Sequence, residues 1–363
     1  MIAGFVLPLF MSLLSLLFGV ETADIVFAGD AMQHQAQIDA GKEKDGTYSY
    51  TECFENIKPL ISLADYAVVN LETPVAAPPY SGYPCFNAPP AFVDALQDAG
   101  FDMMLTANNH TLDRRSRGLK ATIEELDRRD IAHLGTYVSA AARDSVLPAI
   151  VEVGSFKIGF LNYTYGTNGF TPDGGVVVDY IDRERMRADV EATRSAGAEL
   201  IAVCIHWGDE YKLLPNRSQR SDADFLESLG VDMIIGSHPH VIQPMELRPN
   251  RYYPDKNVFL VYSLGNFISN MKTRDTRGGA LAYVRLMRSR NEKPRIVSAR
   301  YSLVFTLPAG AGGDNFRLVE ASGCQEPSMR GRCAEFVKEA KRIFDAHNIN
   351  VPCAEEGSLM FVD

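Results

Sequence analysis

The segment His238-Pro239-His240 combines residue types and spacing that point directly to chemistry. Proline restricts the residue before it to an extended backbone, and residues i and i+2 of an extended chain point to the same side. We therefore expect both imidazoles to face one metal ion or one anion, because imidazole is a common metal ligand. The alternative for this segment is a turn with two solvated histidines.

Several other apolar runs of the chain also end in polar residues that can bind a metal. Carboxylates, imidazoles and amide oxygens are side-chain groups that hold divalent ions. Sites of α/β sheets lie beyond the carboxyl ends of the strands, so these residues are expected to meet. The alternative for each is a surface turn or a helix cap. The residues at these strand ends are Asp30, Asn70, Glu72, Asn109, His110, His206 and Asn266.

Catalytic and substrate-binding roles are predicted for some of these residues and their neighbours. His110 and His206 are predicted to be catalytic, and His110 is the candidate general acid or base. Trp207, the only tryptophan, either walls a pocket or packs. Arg114 and Arg115 carry guanidinium groups suited to phosphate or carboxylate, or they belong to a solvated helix face. The predicted substrate-binding residues are Asn70, Arg114, Arg115, Trp207 and Asn266.

The elements that must position these residues alternate between strands and helices. Nearly continuous apolar runs at residues 200–205 and 232–235 indicate strands covered on both faces. Helical spacing precedes the first run at residues 182–196 and separates the two runs at residues 218–229. Residues 149–153 and 157–163 are predicted to form a hairpin around a Gly-Ser turn. The pattern predicts an α/β fold.

The composition restricts the classes of function. There are 36 Lys+Arg against 46 Asp+Glu, so the net charge is -10. This balance argues against sequence-independent nucleic-acid binding, which needs a basic surface. An anionic substrate would need a local cationic spot, from a metal ion or from arginine. The sequence also lacks a GxxxxGK[ST] phosphate loop, a GxSxG nucleophile elbow and an HExxH zinc motif.

The N-terminal residues 1–23 are predicted to be a signal peptide or an N-terminal membrane anchor. No charged residue precedes Glu21, and an uncharged apolar run of this length is typical of both kinds of segment. The chain is therefore expected to be exported to a periplasmic or other extracytoplasmic location. Two cysteine pairings are open in such a compartment: Cys324 with Cys333, and Cys53 with Cys85.

An ordered series of motifs resembles that of the CapA family of bacterial capsule proteins. Residues 24–270 contain, in order, FAGDAM, VVNLETP, TANNHTLD, IHWGDEY, GSHPHV and SLGNF. The resemblance implies a four-layer α/β/β/α sandwich of the metallo-dependent phosphatase type over residues 24–310, followed by a C-terminal appendage at residues 311–363. It also implies a role in poly-γ-glutamate synthesis or export beside a membrane-bound capsule complex.

The phosphatase framework to which that family is similar implies one or two divalent ions, of Mn, Zn or Fe. Met32 stands where the framework has a histidine, and Asn70 or Glu72 stands near the position of its bridging aspartate. An altered pair of ions, a single ion or a metal-free anion site remain open. The metal ligands that this resemblance implies are Asp30, Glu72, Asn109, His206, His238 and His240.

Two functions of different classes follow from these expectations. The first is a metal-dependent hydrolase that acts on a phosphoester or on an amide-linked anionic polymer, since a bound metal polarises the scissile group and activates water. The second is a non-enzymatic component that binds poly-γ-glutamate and guides it through the cell envelope. The incomplete match to the phosphatase ligand set motivates the second.

Overall fold

The computed structural model describes residues 19–354, and its larger sheet has eight strands. They are β1 (Glu21–Ala31), β2 (Tyr66–Leu71), β3 (Met103–Leu105), β4 (Ala132–Leu134), β13 (Asn266–Ile268), β14 (Gly278–Arg288), β15 (Arg295–Leu307) and β16 (Arg317–Glu320). Their order is β16-β15-β14-β1-β2-β3-β4, and β13 also pairs with β1. β1 to β4 are mutually parallel, and β14 to β16 extend the sheet in antiparallel fashion.

A second sheet has six strands in the order β11-β12-β10-β9-β7-β6. They are β6 (Ala149–Val153), β7 (Phe156–Thr164), β9 (Leu200–His206), β10 (Met233–Ser237), β11 (Met245–Pro249) and β12 (Asn257–Val261). The inner four are parallel, and β6 and β7 form the predicted hairpin, which is confirmed. A separate two-stranded sheet joins β5 (Thr136–Tyr137) to β8 (Val177–Val178).

The helices lie mostly between successive strands, as the alternation predicts. Their ends are set by local capping: Asp182 accepts a hydrogen bond from Arg185 N–H, and Asn216 and Gln219 form a capping box. The helices are α1 (Gln35–Ala40), α2 (Lys58–Ile61), α3 (Ala91–Asp98), α4 (Arg115–Asp127), α5 (Ala140–Val146), α6 (Arg183–Ser195), α7 (Arg217–Ser228) and α8 (Arg330–His347), with 3-10 turns at Thr51–Cys53 and Arg274–Thr276.

Alternation along the strands produces four layers. Neighbouring residues of a strand point to opposite faces, so Phe27 packs between the two sheets while Val26 packs under the helices outside the first sheet. In the second sheet, Ala202 lies in the inter-sheet core, and Val203 packs under the helices on the other side. The predicted four-layer α/β/β/α class is confirmed.

The predictions for the two ends of the chain stay predictions. Most of the predicted leader or anchor lies outside the described residues, and within residues 19–354 no helix is long and apolar enough to cross a membrane. The boundary predicted at residue 310 is likewise untested; beyond it, β16 joins the larger sheet and Phe336 of α8 packs against Phe305. Neither cysteine pairing is present, because all six thiols are free.

Candidate metal centre

Strands of both sheets end at one polar cluster. Asp30 of β1 pairs with Asn70 of β2 on one side and with Asn266 of β13 on the other. In the second sheet, His206 at the end of β9 pairs with Ser237 at the end of β10. Parallel strands place their carboxyl ends at the same edge of a sheet. The fold thereby brings together residues that are far apart in sequence.

Asp30 and Glu72 form the acidic centre of this cluster, and both are fully buried. Asn70 bridges them, because its Nδ2 donates to Asp30 Oδ1 at 2.8 Å and to Glu72 Oε2 at 3.3 Å. The other oxygen, Glu72 Oε1, has no hydrogen-bond partner. It lies 3.6 Å from His206 Nε2 and 3.7 Å from His240 Nε2. A buried carboxylate oxygen without a partner is costly unless a cation binds it.

His206 is fully buried and is held on both sides of its ring. Its Nδ1 lies 2.9 Å from Ser237 Oγ, and its Nε2 lies 2.9 Å from Asn109 Oδ1. Asn109, predicted as a metal ligand, therefore contacts the cluster through His206. Full burial makes His206 unsuited to exchanging protons with solvent, and the metal-ligand and catalytic roles predicted for it both stay predictions.

His238 and His240 reach the cluster through a turn, so the extended backbone predicted for this segment is wrong. Their φ angles are +100° and +57°, in a region that residues other than glycine adopt only when their surroundings impose it. Asp30 Oδ2 accepts His238 N–H at 3.3 Å and lies 3.2 Å from His240 Nδ1. Contacts to the buried carboxylate thus override the local preference that Pro239 imposes.

Burial keeps the imidazoles of His206 and His238 neutral. It lowers the pKa of His206 well below its usual range and the pKa of His238 to about 3, and the neighbouring histidines lower both further. Burial, followed by the charge of Asp30, raises the pKa of Glu72 well above that of an ordinary glutamate. Neutral imidazoles are ready to ligate a metal, and a bound cation would offset the cost of ionising Glu72.

The donors of the cluster fit a divalent metal ion. Glu72 contributes to two sets of ligand atoms, and within each set the atoms lie within 4.8 Å of one another. Glu72 Oε1 and His238 Nδ1 are buried and without hydrogen-bond partners, so both are unused ligand atoms. Carboxylate and imidazole donors are those of protein sites for divalent metals. The two sets are Asp30, Glu72 and His206, and Glu72, His238 and His240.

His110 follows Asn109 and is oriented by a carboxylate. Its Nδ1 lies 2.8 Å from Asp113 Oδ2, and both side chains are buried. The same oxygen accepts Phe86 N–H at 2.8 Å, and the Phe86 ring meets the imidazole edge to face at 4.6 Å. Asp113 is missing from the sequence-based predictions, although its position three residues after His110 in a turn was a usable signal.

Three of the predicted substrate-binding residues lie elsewhere. The Arg115 guanidinium stacks on the Phe170 ring at 3.5 Å. Trp207 is 2% exposed and packs in the core between the second sheet and the helices that cover it. Its indole N–H donates to Tyr262 O there. Within residues 19–354, no side-chain hydrogen bond, ion pair or ring contact joins these two residues or Arg114 to the cluster. Alternation explains Trp207, because consecutive residues after His206 turn to opposite sides. Asn70 and Asn266 do contact the cluster.

Two exposed tyrosines border the cluster and escaped prediction, since nothing in the sequence marks them. The Tyr165 ring lies 4.6 Å from the His238 ring, and the Tyr211 ring lies 6.3 Å from that of His240. They are 48% and 54% exposed. Partial burial and Glu210 raise the pKa of both phenols to about 12. Both hydroxyls therefore stay protonated at neutral pH and can donate hydrogen bonds to a substrate.

His34 lies outside the cluster and, within residues 19–354, makes no hydrogen bond, ion pair or ring contact with the proposed ligands. Its Nδ1 accepts Asn270 N–H at 3.3 Å, and its ring packs edge-on against Phe86 at 5.2 Å. Burial lowers the pKa of His34 to about 4. The imidazole therefore stays neutral in the folded protein at neutral pH.

Comparison with known proteins places the chain in a family. A family model described as "Bacterial capsule synthesis protein PGA_cap" matches residues 24–271. The PGA biosynthesis protein CapA of Bacillus subtilis (strain 168) is 28% identical over 279 residues, which are 72% of this chain and 67% of the relative. The capsule biosynthesis protein CapA of Bacillus anthracis is 27% identical over 261 residues, which are 68% of this chain and 60% of the relative.

The chain is also similar to the solved structures of two nucleotidases. The NAD nucleotidase of Haemophilus influenzae has a TM-score of 0.49 at 12% identity, over 89% of this chain and 61% of that protein. The 5'-nucleotidase of Candida albicans SC5314 has a TM-score of 0.41 at 8% identity, over 88% of this chain and 58% of that protein. The assignment rests on the sequence matches: the chain belongs to the bacterial capsule synthesis protein family PGA_cap.

Proposed function

We propose that this chain is a metal-dependent hydrolase of capsule synthesis that acts on an anionic polymer of the poly-γ-glutamate type. A phosphoester is the second substrate class that the same site would accept. The observation that carries the proposal is Glu72, a fully buried carboxylate that belongs to both ligand sets and keeps one oxygen unpaired. The family assignment and the names of the two relatives support the capsule role.

The metal would be held by Asp30, Glu72, His206, His238 and His240, with Mn, Zn and Fe as the candidates that suit oxygen and imidazole donors. Bound there, a divalent ion supplies Lewis acidity, which polarises the scissile group and lowers the pKa of water. The chain's own part is to fix the donors. Asn70 holds the two carboxylates of Asp30 and Glu72, and Asn109 and Ser237 hold the His206 ring.

His110 and Asp113 would move the proton. When Asp113 Oδ2 accepts the Nδ1 proton of His110, Nε2 is left as the atom that would take or give a proton. Phe86 limits the motion of the pair from two sides, through its N–H to Asp113 and its ring edge on the imidazole. A positioned acid or base of this kind contributes about 10²- to 10⁴-fold to a hydrolytic rate.

The location and partners are part of the same proposal. Residues 1–23 would direct export and serve as a leader or an anchor, so that the site works outside the cytoplasm beside a membrane-bound capsule synthesis or export complex. The net charge of -10 gives no reason to include nucleic acid among the partners.

The test compares the full-length protein with a His238→Ala/His240→Ala variant and with His110→Gln. Elemental analysis should find bound metal in the wild type and in His110→Gln, because His110 belongs to neither ligand set, and none in the double variant. Hydrolysis of poly-γ-glutamate, followed by size exclusion, and of bis(p-nitrophenyl) phosphate should need the metal. His110→Gln should lower turnover about 10²- to 10⁴-fold.

His133→Ala is the matched control, because His133 bonds to Asp127 outside the cluster. It should keep both metal and turnover. A wild-type protein that stays free of metal after exposure to Mn, Zn and Fe would contradict the proposal. So would a metal-loaded protein that hydrolyses neither substrate.

A further inference from the structure

The loop that follows β7 borders the metal centre; it comprises residues 165–169, and we call it the rim loop. The Tyr165 ring at its start lies 4.6 Å from the His238 ring and 6.3 Å from the His206 ring, to which it is nearly parallel. The same side chain is 48% exposed. Tyr165 therefore contacts proposed metal ligands with one part of its surface and faces solvent with another, as a residue that meets a substrate must.

Asn168, the fourth residue of the rim loop, reaches the other half of the site. Its Oδ1 accepts Asn109 Nδ2–H at 3.3 Å, and its Nδ2 lies 3.4 Å from His110 Nδ1. Asn168 is exposed as well. Burial raises the pKa of Tyr165, and a hydrogen bond with Asn109 opposes that rise. The phenol and the amide of the rim loop therefore both lie at Asn109.

The Asn168 amide keeps N–H hydrogens without an acceptor beside His110. His110 Nδ1 lies 2.8 Å from Asp113 Oδ2, and a ring nitrogen that donates its proton there has no lone pair for a second donor. Among the residues at 19–354, Asn168 Nδ2 has no other hydrogen-bond partner. Its hydrogens can therefore bind an oxygen of a substrate that lies against the imidazole.

The backbone of the rim loop is held in place. Tyr165 N–H donates to His206 O at 3.0 Å, and the hydroxyl of the buried Thr167 lies 2.9 Å from that of Tyr180. Asn168 has a φ of +50°, which asparagine tolerates better than most residues. A loop fixed in this way loses little conformational entropy when its side chains bind a ligand.

These neutral donors matter because the predicted cationic spot is elsewhere. The Arg115 guanidinium stacks on the Phe170 ring. The net charge of the chain is -10, so an anionic substrate needs favourable groups at the site itself. Phenol and amide hydrogens are donors for carboxylate and phosphate oxygens, and hydrogen bonds to an ionised acceptor are about twice as strong as those between neutral groups.

We propose that the Tyr165 hydroxyl and the Asn168 amide bind an anionic oxygen of the substrate and hold the substrate at the metal centre. That oxygen belongs to a carboxylate of a glutamate polymer or to a phosphate group. The inference rests on the proposed function, because it names the residues that position the substrate of the same site. Neither residue belongs to a ligand set of the metal.

The test compares the full-length wild type with Tyr165→Phe/Asn168→Gly. Phenylalanine keeps the ring, and glycine adopts the φ of +50° at residue 168 without strain. Binding of fluorescently labelled poly-γ-glutamate is measured by anisotropy, and binding of inorganic phosphate by calorimetry, each in Mn²⁺ and again in EDTA. The variant should bind about ten- to hundredfold more weakly, because it lacks one or two hydrogen bonds to a charged acceptor. Its affinity for Mn²⁺ should stay within about threefold of the wild type, since both donors lie outside the ligand sets.

The control Tyr252→Phe/Asn291→Gly makes the same two changes far from the site. Tyr252 is 49% exposed, and Asn291 has a φ of +69°. Asn291 follows β14, whose Arg288 pairs with Glu21 at the start of β1, about 30 Å from Asp30 at its other end. The control should bind both ligands as the wild type does.

Weaker binding of the polymer alone would support the rim loop and identify the carboxylate as its ligand, and weaker binding of phosphate alone would identify the phosphoester. Equal binding of both ligands by all three proteins would overturn the proposal, and so would a wild type that binds neither. A variant that loses affinity for Mn²⁺ by the same factor would also overturn it, because the loop would then act only on the metal centre. Absence of metal or of turnover in the wild type would contradict the hydrolase alone, since the measurements in EDTA need neither.

Discussion

Replacing Glu72 by glutamine should separate metal binding from folding. Glutamine keeps the size of the side chain and its bond from Asn70 but removes the charge from both ligand sets. Breaking a buried charge pair costs about 3–5 kcal/mol. At about 1.4 kcal/mol per tenfold change in affinity, the metal should bind about 140- to 4000-fold more weakly.

In the metal-free protein, the same substitution should maintain or raise the free energy of unfolding. The folded pKa of Glu72 is raised by burial and Asp30, so its favourable contribution to stability is complete below the pKa of an unfolded glutamate and is lost as the pH rises. Glutamine has no such loss. In EDTA at pH 8, the E72Q protein should therefore be at least as stable as the wild type.

The assay follows Mn²⁺ binding through the fluorescence of Trp207, the only tryptophan, which is next to His206 in the chain. Urea unfolding in EDTA measures the stability of the metal-free proteins. Glu210→Gln is the control, because Glu210 is exposed, outside both ligand sets, and loses the same charge. The reasoning is refuted if E72Q binds Mn²⁺ as tightly as E210Q, or if E72Q unfolds more easily than the wild type in EDTA.

Two further predictions concern the surroundings of the centre. In EDTA, lowering the pH from 7 to 5 should reduce the free energy of unfolding of the wild type by about 2 kcal/mol more than that of His34→Gln. The folded pKa of His34 is about 4, below the unfolded value near about 6.5. The contribution of His34 to stability is therefore complete above about pH 6.5 and is lost as the pH falls below it. Equal losses in urea unfolding would contradict this. Gly29→Ala would place a methyl 1.9 Å from Gly265 O, which accepts Asp30 N–H; we expect a loss of about 3 kcal/mol and weaker metal binding. Gly331→Ala, with no atom within 4 Å, should change the unfolding free energy by less than about 1 kcal/mol.

The layered fold was predictable because its signals are local. Continuous apolar runs such as Leu200 to Ile205 mark strands covered on both faces, and the structure places β9 in the middle of the second sheet. The helix predicted at residues 182–196 is observed at Arg183–Ser195, because Asp182 caps its own helix. The short strands β5, β8 and β13 were not predicted, since two or three residues carry no periodic pattern.

The residues of the site could be predicted only where their position at the end of a strand brings them to the cluster. Asp30, His206 and Asn70 follow from strand ends, and parallel pairing brings them together. Packing was one of the two alternatives predicted for Trp207, and alternation after His206 places it in the core. Asp113 contacts His110, and Tyr165 contacts His238. No spacing rule could have indicated the position of Tyr165.

The sequence by itself determined the α/β alternation, the family motifs and the set of residues able to hold a metal, since each depends on residue type and on short-range order. The tertiary structure decided which of these candidate donors lie together. It placed Glu72 Oε1 between His206 at the end of β9 and His240 in the loop after β10, and turned His238 and His240 through left-handed backbone toward Asp30. These contacts join parts of the chain far apart in sequence, and only packing of the two sheets fixes their distances.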